Sequence, residues 1–319
     1  MDSFNHYTVL KKETIDSLEL KRGDHVIDCT AGGGGHLSLA LEKVGPDGSV
    51  HAFDRDSHAI GFLTSKFSQY LDQNRLYLYH TQFSNLTNEI PKELEVRGIL
   101  ADLGVSSPQI DNKHRGFSFL NDGPLDMRMS PERGEMKAAD FIATATEEQL
   151  EKVFREFGEE PKSKFVARAI VQERQKQAIT STLQLAEIVS NSIHYKTKSK
   201  KHPATKVFQA LRIYINDELK EVSSLLEKAF NLLSPGGRMA IITFHSLEDR
   251  LVKRFYQQKA GRNNNNAFLK QLPLVQEEMD KLMNIQGRII KPFPMTPSTH
   301  EIHENPRSRS AKLRILEKL

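Results

Sequence analysis

The chain has 319 residues, more than one core usually holds, so two domains or one core with an insertion are expected. With 38% hydrophobic and 27% charged residues it has the make-up of a globular protein. No apolar run nears the roughly 20 residues that cross a bilayer, which excludes disordered and membrane-spanning classes. A net charge of +4 is too mild to define a partner, and its distribution says more. Cations gather at Lys196, Lys198, Lys200, Lys201 and Lys206, and again at Arg307, Arg309, Lys312 and Arg314. Such clusters attract phosphates or simply form solvated faces. MDSFNHYTVLKKE at the N-terminus lacks the apolar centre of a secretory signal, so the protein is expected to stay where it is made. Cys29, the single cysteine, permits no internal disulfide and suits a reducing cytoplasm.

In chain order, HVIDCT (residues 25 to 30) is a short apolar strand that runs into AGGGGH, and HLSLALEKV follows with helical spacing. SVHAFD (49 to 54) is a second strand, and SHAIGFLTSKF has helical spacing again. RLYLYHTQF (75 to 83) and RGILADLGV (97 to 105) supply strands three and four. Alternating strands and helices predict a parallel sheet covered on both faces, the doubly wound α/β class.

The alternation then stops. A loop bearing glycine and proline precedes three helical segments, TEEQLEKVFREFG, PKSKFVARAIVQERQK and STLQLAEIVSNSI. Thr146 followed by acids marks a helix start, and Pro161 suits a first helical turn. This predicts an all-helical inserted domain over 107–205, between core parts 1–106 and 206–319. Residues 204 to 233 read as one long amphipathic stretch ending at SPGG, and GRMAIITFH (237 to 245) is a fifth strand. A helix at SLEDRLVKRFYQQ, a polar run with NNNN at 263 to 266, a strand at GRII, a proline-rich loop and a last strand AKLRILEKL complete the chain. No helix is expected between the last two strands.

Glycines at 32 to 35 stand where strand one passes into its helix, the place at which an open α/β sheet offers backbone N–H groups to a ligand. Four successive glycines cost chain entropy without an evident packing gain, so a ligand is the expected reason for them. Asp54, at the end of strand two, is placed for its carboxylate to accept from two ribose hydroxyls. G-x-G-x-x-G requires a third glycine where Leu37 or Ser38 stands, which disfavours a nicotinamide dinucleotide. Phe83 could pack on an adenine face or in the core. Asp102 and Gln109 flank the carboxyl end of strand four. His36 reads as a helix-start side chain exposed to solvent.

Asp102 also stands where methyltransferases acting on exocyclic amines place an Asp or Asn, although Leu103, Gly104 and Val105 replace the prolines and aromatic that usually follow. Transfer to cytosine carbon 5 would need a cysteine nucleophile near that strand, and Cys29 lies on strand one. His245 ends strand five, where it could contact substrate or accept a proton, or be held by backbone hydrogen bonds. Asp126 and Arg128 could serve loop structure or RNA contact. No HxxxH, CxxC or paired-carboxylate spacing suggests a metal site.

TAGGGGH, AFDRD, DLGVSSPQ, RGFSF with DGPLDMRM, HPATKVFQALRIYIN, SPGGRMAIITFHSLEDRLVKRF and ENPRSRSAKLR together resemble the MraW family of small-subunit ribosomal RNA methyltransferases. The resemblance runs from about His6 to the last strand. It implies S-adenosylmethionine as methyl donor and the N(4) amino group of a cytidine in 16S rRNA as acceptor. It also implies a cytoplasmic enzyme whose helical insertion helps recognise the small ribosomal subunit, with no membrane partner; a homodimer is compatible with it. Carried over by motif, its cofactor contacts are Gly34, Gly35, His36, Asp54, Phe83, Asp102 and Gln109. An amino-methyltransferase acting on DNA or another RNA, a nicotinamide oxidoreductase and a non-catalytic RNA-binding protein are the competing readings.

Overall fold

The computed structural model describes residues 7–131, 134–193, 202–262 and 285–319. Lys196, Lys198, Lys200, Lys201 and the NNNN run fall outside these. By its contacts the chain divides into two compact units, one of residues Met1–Gly104 with Leu219–Leu319, the other Val105–Glu218.

The first unit is built on seven strands: β1 (His25–Asp28), β2 (Ser49–Asp54), β3 (Leu76–His80), β4 (Val96–Asp102), β5 (Leu233–Thr243), β6 (Gly287–Met295) and β7 (Lys312–Lys318). They form one sheet in the order β3-β2-β1-β4-β5-β7-β6. The first five run parallel, and β7 is antiparallel to both neighbours. The central strands are apolar without alternation because both faces are covered. Ile27, Phe53, Ile99, Met239 and Ile241 enter one core, and their neighbours Val26, Ala52, Leu100, Ala240 and Ile242 enter the other. Order of strands and two-sided cover make this the doubly wound α/β sheet expected from the sequence.

Helices α1 (Lys11–Ser17), α2 (Gly35–Val44) and α3 (Ser57–Lys66) cover one face through Ile15, Leu37, Leu41 and Leu63, with α4 (Ser68–Asp72) extending α3 and α5 (Leu86–Glu89) following β3. The second unit holds α6 (Ser107–Asp111), α7 (Ala138–Thr144), α8 (Glu147–Glu156), α9 (Ser163–Arg174), α10 (Thr182–Ser192) and α11 (Thr205–Ile215). The apolar faces of α7 to α11 share one core of Phe141, Leu150, Phe154, Val166, Ile170, Leu185, Val189 and Leu211. Thr146 does cap α8, its hydroxyl accepting from Gln149 N–H while the Gln149 side chain returns to Thr146 N–H. Pro161 lies just ahead of α9 instead of in its first turn.

The helical unit runs on to Glu218, past residue 205, because α11 buries Val207, Phe208, Ala210 and Leu211 in the helical core. The stretch expected as one long helix is broken after α11. Asn216 donates to the carbonyls of Arg212 and Met127, both at 2.8 Å, and accepts from Met129 N–H at 2.8 Å. Asp217 then turns the chain with φ of 52°. Helix α12 (Glu218–Leu232) and, after β5, α13 (Ser246–Lys259) cover the other sheet face with Leu225, Phe230, Val252, Phe255 and Tyr256.

Two sequence expectations fail near the C-terminus. The proline-rich stretch is not a loop: β6 continues through Pro292 and Pro294 to Met295, with a break in its register after Ile290. A strand that pairs on one side only tolerates residues without an N–H. A short helix, α14 (Thr299–Glu304), does separate the last two strands; Ser298 caps it, accepting from Glu301 N–H at 3.1 Å.

Candidate cofactor site

Parallel strands in this order bring the carboxyl ends of β1, β2 and β4 side by side, and each ends in an aspartate: Asp28, Asp54 and Asp102. Thr30 ties Asp28, in the middle, to Asp102. Its N–H donates to Asp28 Oδ1 at 3.1 Å, and its hydroxyl accepts from Asp102 N–H at 2.6 Å. Asp54 organises the glycine turn, accepting from Gly32 N–H through Oδ2 and from Asp56 N–H through Oδ1, both at 2.8 Å. Each Asp54 oxygen keeps a second lone pair, the capacity that two ribose hydroxyls would use.

The electrostatics of this edge favour a cation. Burial pushes Asp28 up to about 7, the Thr30 N–H opposing and the Asp54 charge adding to the rise. Burial also pushes Asp54 up to about 6 against the two N–H groups that stabilise its charge. Asp102 is raised well above the carboxylate range by burial first, then by the charges of Asp28, Glu248 and Glu301. Oδ2 of Asp28 and Oδ1 of Asp102 are both sealed from solvent with no hydrogen-bond partner among the described residues. Mutually repelling acids with unused oxygens suit a ligand bearing positive charge and donor groups.

Glycines in the turn have a reason the sequence did not show. Gly32 and Gly34 take φ of 48° and 75°, where side chains are strained. A Cβ on Gly34 would meet the Phe67 ring at 2.5 Å, and one on Gly35 would lie 1.7 Å from Thr8 Oγ1. The expectation that the glycines bring no packing gain is therefore corrected: two of them admit Phe67, Leu63 and Thr8 against the start of α2. Gly32 has an open Cβ direction, its nearest contact being its own turn at 3.8 Å. His36 is buried in the first turn of α2, not exposed as expected. Phe83 opens a short turn of helix after β3 and packs, half-buried, against the core with Tyr79.

Gln109 belongs to the helical unit, where it closes the start of α6: its side chain accepts from Ser106 N–H at 3.0 Å, and its own N–H donates to Ser106 Oγ at 3.4 Å. His245 is the cap of α13. Its Nδ1 accepts from Glu248 N–H at 3.4 Å, and its Nε2 lies 3.1 Å from Glu248 Oε1, so both ring nitrogens face one residue. A backbone bond holds Nδ1 alone, while Nε2 is buried without a hydrogen-bond partner among the described residues. Asp126 and Arg128 clasp each other through two bonds of 2.7 Å, and the guanidinium also donates to the carbonyls of Pro131 and Glu135. This pair fastens its own loop. Cys29 is buried with its thiol pushed well up by burial, so it does not offer a thiolate.

A strand order of this kind, with three acids at one edge, narrows the choice of enzyme class. A sequence profile of the MraW methylase family matches residues 3–319. The chain belongs to the MraW methylase family. It is accordingly a methyltransferase whose methyl donor is S-adenosylmethionine.

Among solved structures, a provisionally assigned rRNA methylase from Clostridium thermocellum is 14% identical over 98% of this chain and 99% of its own, with a TM-score of 0.46. An rRNA methylase from Streptococcus thermophilus is 12% identical over 96% and 95%, TM-score 0.41. SMU.1697c from Streptococcus mutans, a provisionally assigned methyltransferase crystallised with SAH, is 13% identical over 98% and 99%, TM-score 0.42. The profile match, not these likenesses, carries the family assignment.

In this MraW methylase, sequence reasoning missed Asp28 and Thr8. An acid closing the apolar run VID just before a glycine turn was a usable signal for Asp28. Nothing local marks Thr8, which meets Gly35 only in three dimensions.

Proposed function

We propose that this methyltransferase transfers the methyl group of S-adenosylmethionine to the N(4) amino group of a cytidine in 16S rRNA of the small ribosomal subunit, in the cytoplasm. The observation that carries the reading is Asp102, at the end of β4, whose Oδ1 is shielded from solvent and unpartnered. An exocyclic amine is a weak nucleophile because its lone pair is delocalised, and an acceptor that takes its hydrogen localises that pair. S-adenosylmethionine, when bound, supplies an electrophilic methyl carbon on a positively charged sulfur. Asp28, Asp54 and Asp102 fit such a group: two hold unused buried oxygens, and Asp54 keeps acceptor capacity beside the glycine turn. Gly34, Gly35 and His36 shape that turn, and Phe83 and Gln109 complete the proposed set of cofactor contacts.

Alignment of amine and methyl carbon within about 3 to 3.5 Å is the main contribution open to the protein. Asp102 Oδ1, when ionised, would accept one amine hydrogen and hold that proton as the N–C bond forms and the carbon–sulfur bond of the methyl donor breaks to leave a neutral thioether. His245, turned toward Glu248, acts here by fixing the start of α13. The helical unit, Val105–Glu218, is the proposed recognition domain.

Methyl incorporation into unmodified small subunits, naked 16S RNA and duplex DNA, followed by mass mapping of the product nucleotide, tests this reading. N(4)-methylcytidine in 16S RNA is expected. Transfer to DNA alone would refute it in favour of a DNA amino-methyltransferase. Asp102→Ala should lower turnover by about 100-fold or more, within the range for a positioned acid or base, and normal turnover would remove Asp102 from the mechanism.

A further inference from the structure

The outward face of α13 carries Arg250, Lys253 and Arg254, all exposed, at spacings of three and four that align them on one stripe. Val252, Phe255 and Tyr256 anchor the opposite face in the core. Acids on this helix, Glu248 and Asp249, are buried in its first turn, so its exposed residues are Ser246, the three cations and Gln258. Lys253 and Arg254 make no ion pair among the described residues. Three like charges in a row repel one another, and the apolar packing of the helix lies on its other side.

Asp249 joins this helix to the start of β7. It accepts from Arg314 Nε at 2.8 Å and Nη2 at 3.1 Å, and from Lys312 Nζ at 3.2 Å. The C-terminal cation cluster thus divides in two. Arg314 is buried and Lys312 half-buried, both spent on Asp249, while Arg307 and Arg309, in the turn just ahead of β7, are exposed. Arg250 follows directly on Asp249, and Arg309 comes three residues before Lys312, so the tie at Asp249 fastens the start of α13 to the strand that follows the turn bearing Arg307 and Arg309. Helix α13 starts where β5 ends, at the same carboxyl edge as Asp102. At 1.5 Å per residue, Arg250 lies only about 6 Å along the helix from its first residue.

We infer that Arg250, Lys253 and Arg254 of α13, with Arg307 and Arg309, form a surface on the methyltransferase core that binds the phosphodiester backbone of the RNA strand flanking the target nucleotide. The inference rests on the proposed RNA substrate and deepens it. Arg and Lys contacts of this kind give affinity and register without base readout. The surface complements whatever the helical unit contributes to choosing the nucleotide.

The test compares the full-length wild type with a triple variant, Arg250→Gln, Lys253→Gln and Arg254→Gln, for binding to naked 16S RNA across a salt series. Calorimetry with S-adenosylmethionine monitors the fold and should be unchanged. A charge-preserving triple, Arg250→Lys, Lys253→Arg and Arg254→Lys, should bind nearly as the wild type does. Neutralisation is expected to weaken RNA binding about tenfold or more at low salt and to reduce the slope of log K against log salt by about 2, at roughly 0.7 per phosphate contact. Equal affinity and slope in the neutral triple would overturn the inference. So would a loss seen on assembled subunits but not on naked RNA, which would assign the face to a protein partner. Failure of the wild type to methylate any RNA would refute the functional reading instead, while the difference in RNA binding between wild type and triple would still decide the surface.

Discussion

Replacing Asp28 by Asn separates the electrostatic cost of the site from its use. Asn keeps the shape and the oxygen that accepts from Thr30 N–H, and removes the charge. In the ligand-free protein Asp28 is raised from 3.8 to about 7, which corresponds to about 4 kcal/mol at 1.36 kcal/mol per unit. For an acid raised on folding, the sign is fixed. Well below pH 4 both states are protonated and stability is unaffected; it declines from about pH 4 to about pH 7, where the unfolded chain ionises and the folded protein resists, and levels off above that. The Asp28→Asn variant is free of that loss. Urea unfolding of the ligand-free proteins should therefore show an advantage for Asp28→Asn that grows from about 1.7 kcal/mol at pH 5 to about 4 kcal/mol at pH 8. Calorimetry should show the opposite order for the cofactor, the variant binding S-adenosylmethionine more weakly, and wild-type affinity should rise between pH 6 and 8 as Asp28 ionises. A stability difference that is the same at both pH values would refute the electrostatic argument. Unchanged cofactor affinity would take Asp28 out of the site.

Asp54→Ala removes the acceptor for Gly32 and Asp56 N–H and should weaken S-adenosylmethionine binding by at least about tenfold, at about 1.4 kcal/mol or more for the lost hydrogen bonds; calorimetry checks this, and an unchanged Kd would exclude Asp54 from cofactor binding. Gly35→Ala should cost about 1–3 kcal/mol by thermal denaturation, because its Cβ would collide with the Thr8 side chain. Adding Thr8→Gly to the same chain should restore most of that loss, and no rescue would mean that the glycine answers to something other than Thr8. Asp249→Asn strands the buried Arg314 guanidinium and should destabilise the core by about 3 kcal/mol or more, visible as a lowered Tm.

Much of the frame was legible because burial leaves strong periodic marks. VID, VHAF, GILAD and MAIIT read as strands covered on both sides, and Asp54 and Asp102 stood out as acids closing such runs. What escaped depended on partners distant in sequence or on very short elements. The packing reason for Gly34 and Gly35 lies in Phe67 and in Thr8, the latter 27 residues before Gly35. Helix α14 has six residues, too few for a period, and only the Ser298-to-Glu301 cap spacing announced it. The break between α11 and α12 hangs on Asn216, whose hydrogen bonds reach back to Met127 and Met129. His245 could have been read as a cap, because H-S-L-E places an acid three residues on, the spacing of a helix-start pair.

The chain leaves the sheet after β4 at Asp102 and re-enters it at Leu233, yet these two strands lie side by side. Their pairing must close a span of about 130 residues, which for an unstructured chain costs about 4 kcal/mol of loop entropy beyond a constant. Collapse of the helical unit on its own core first would draw the two ends into reach and shorten the effective span. The order of assembly then follows from connectivity: β1 to β4 and the helical unit can form locally, whereas β5, β7 and β6 join last. Core substitutions in the helical unit, at Leu150 or Val166 for example, should therefore slow the completion of a sheet in which those residues take no part.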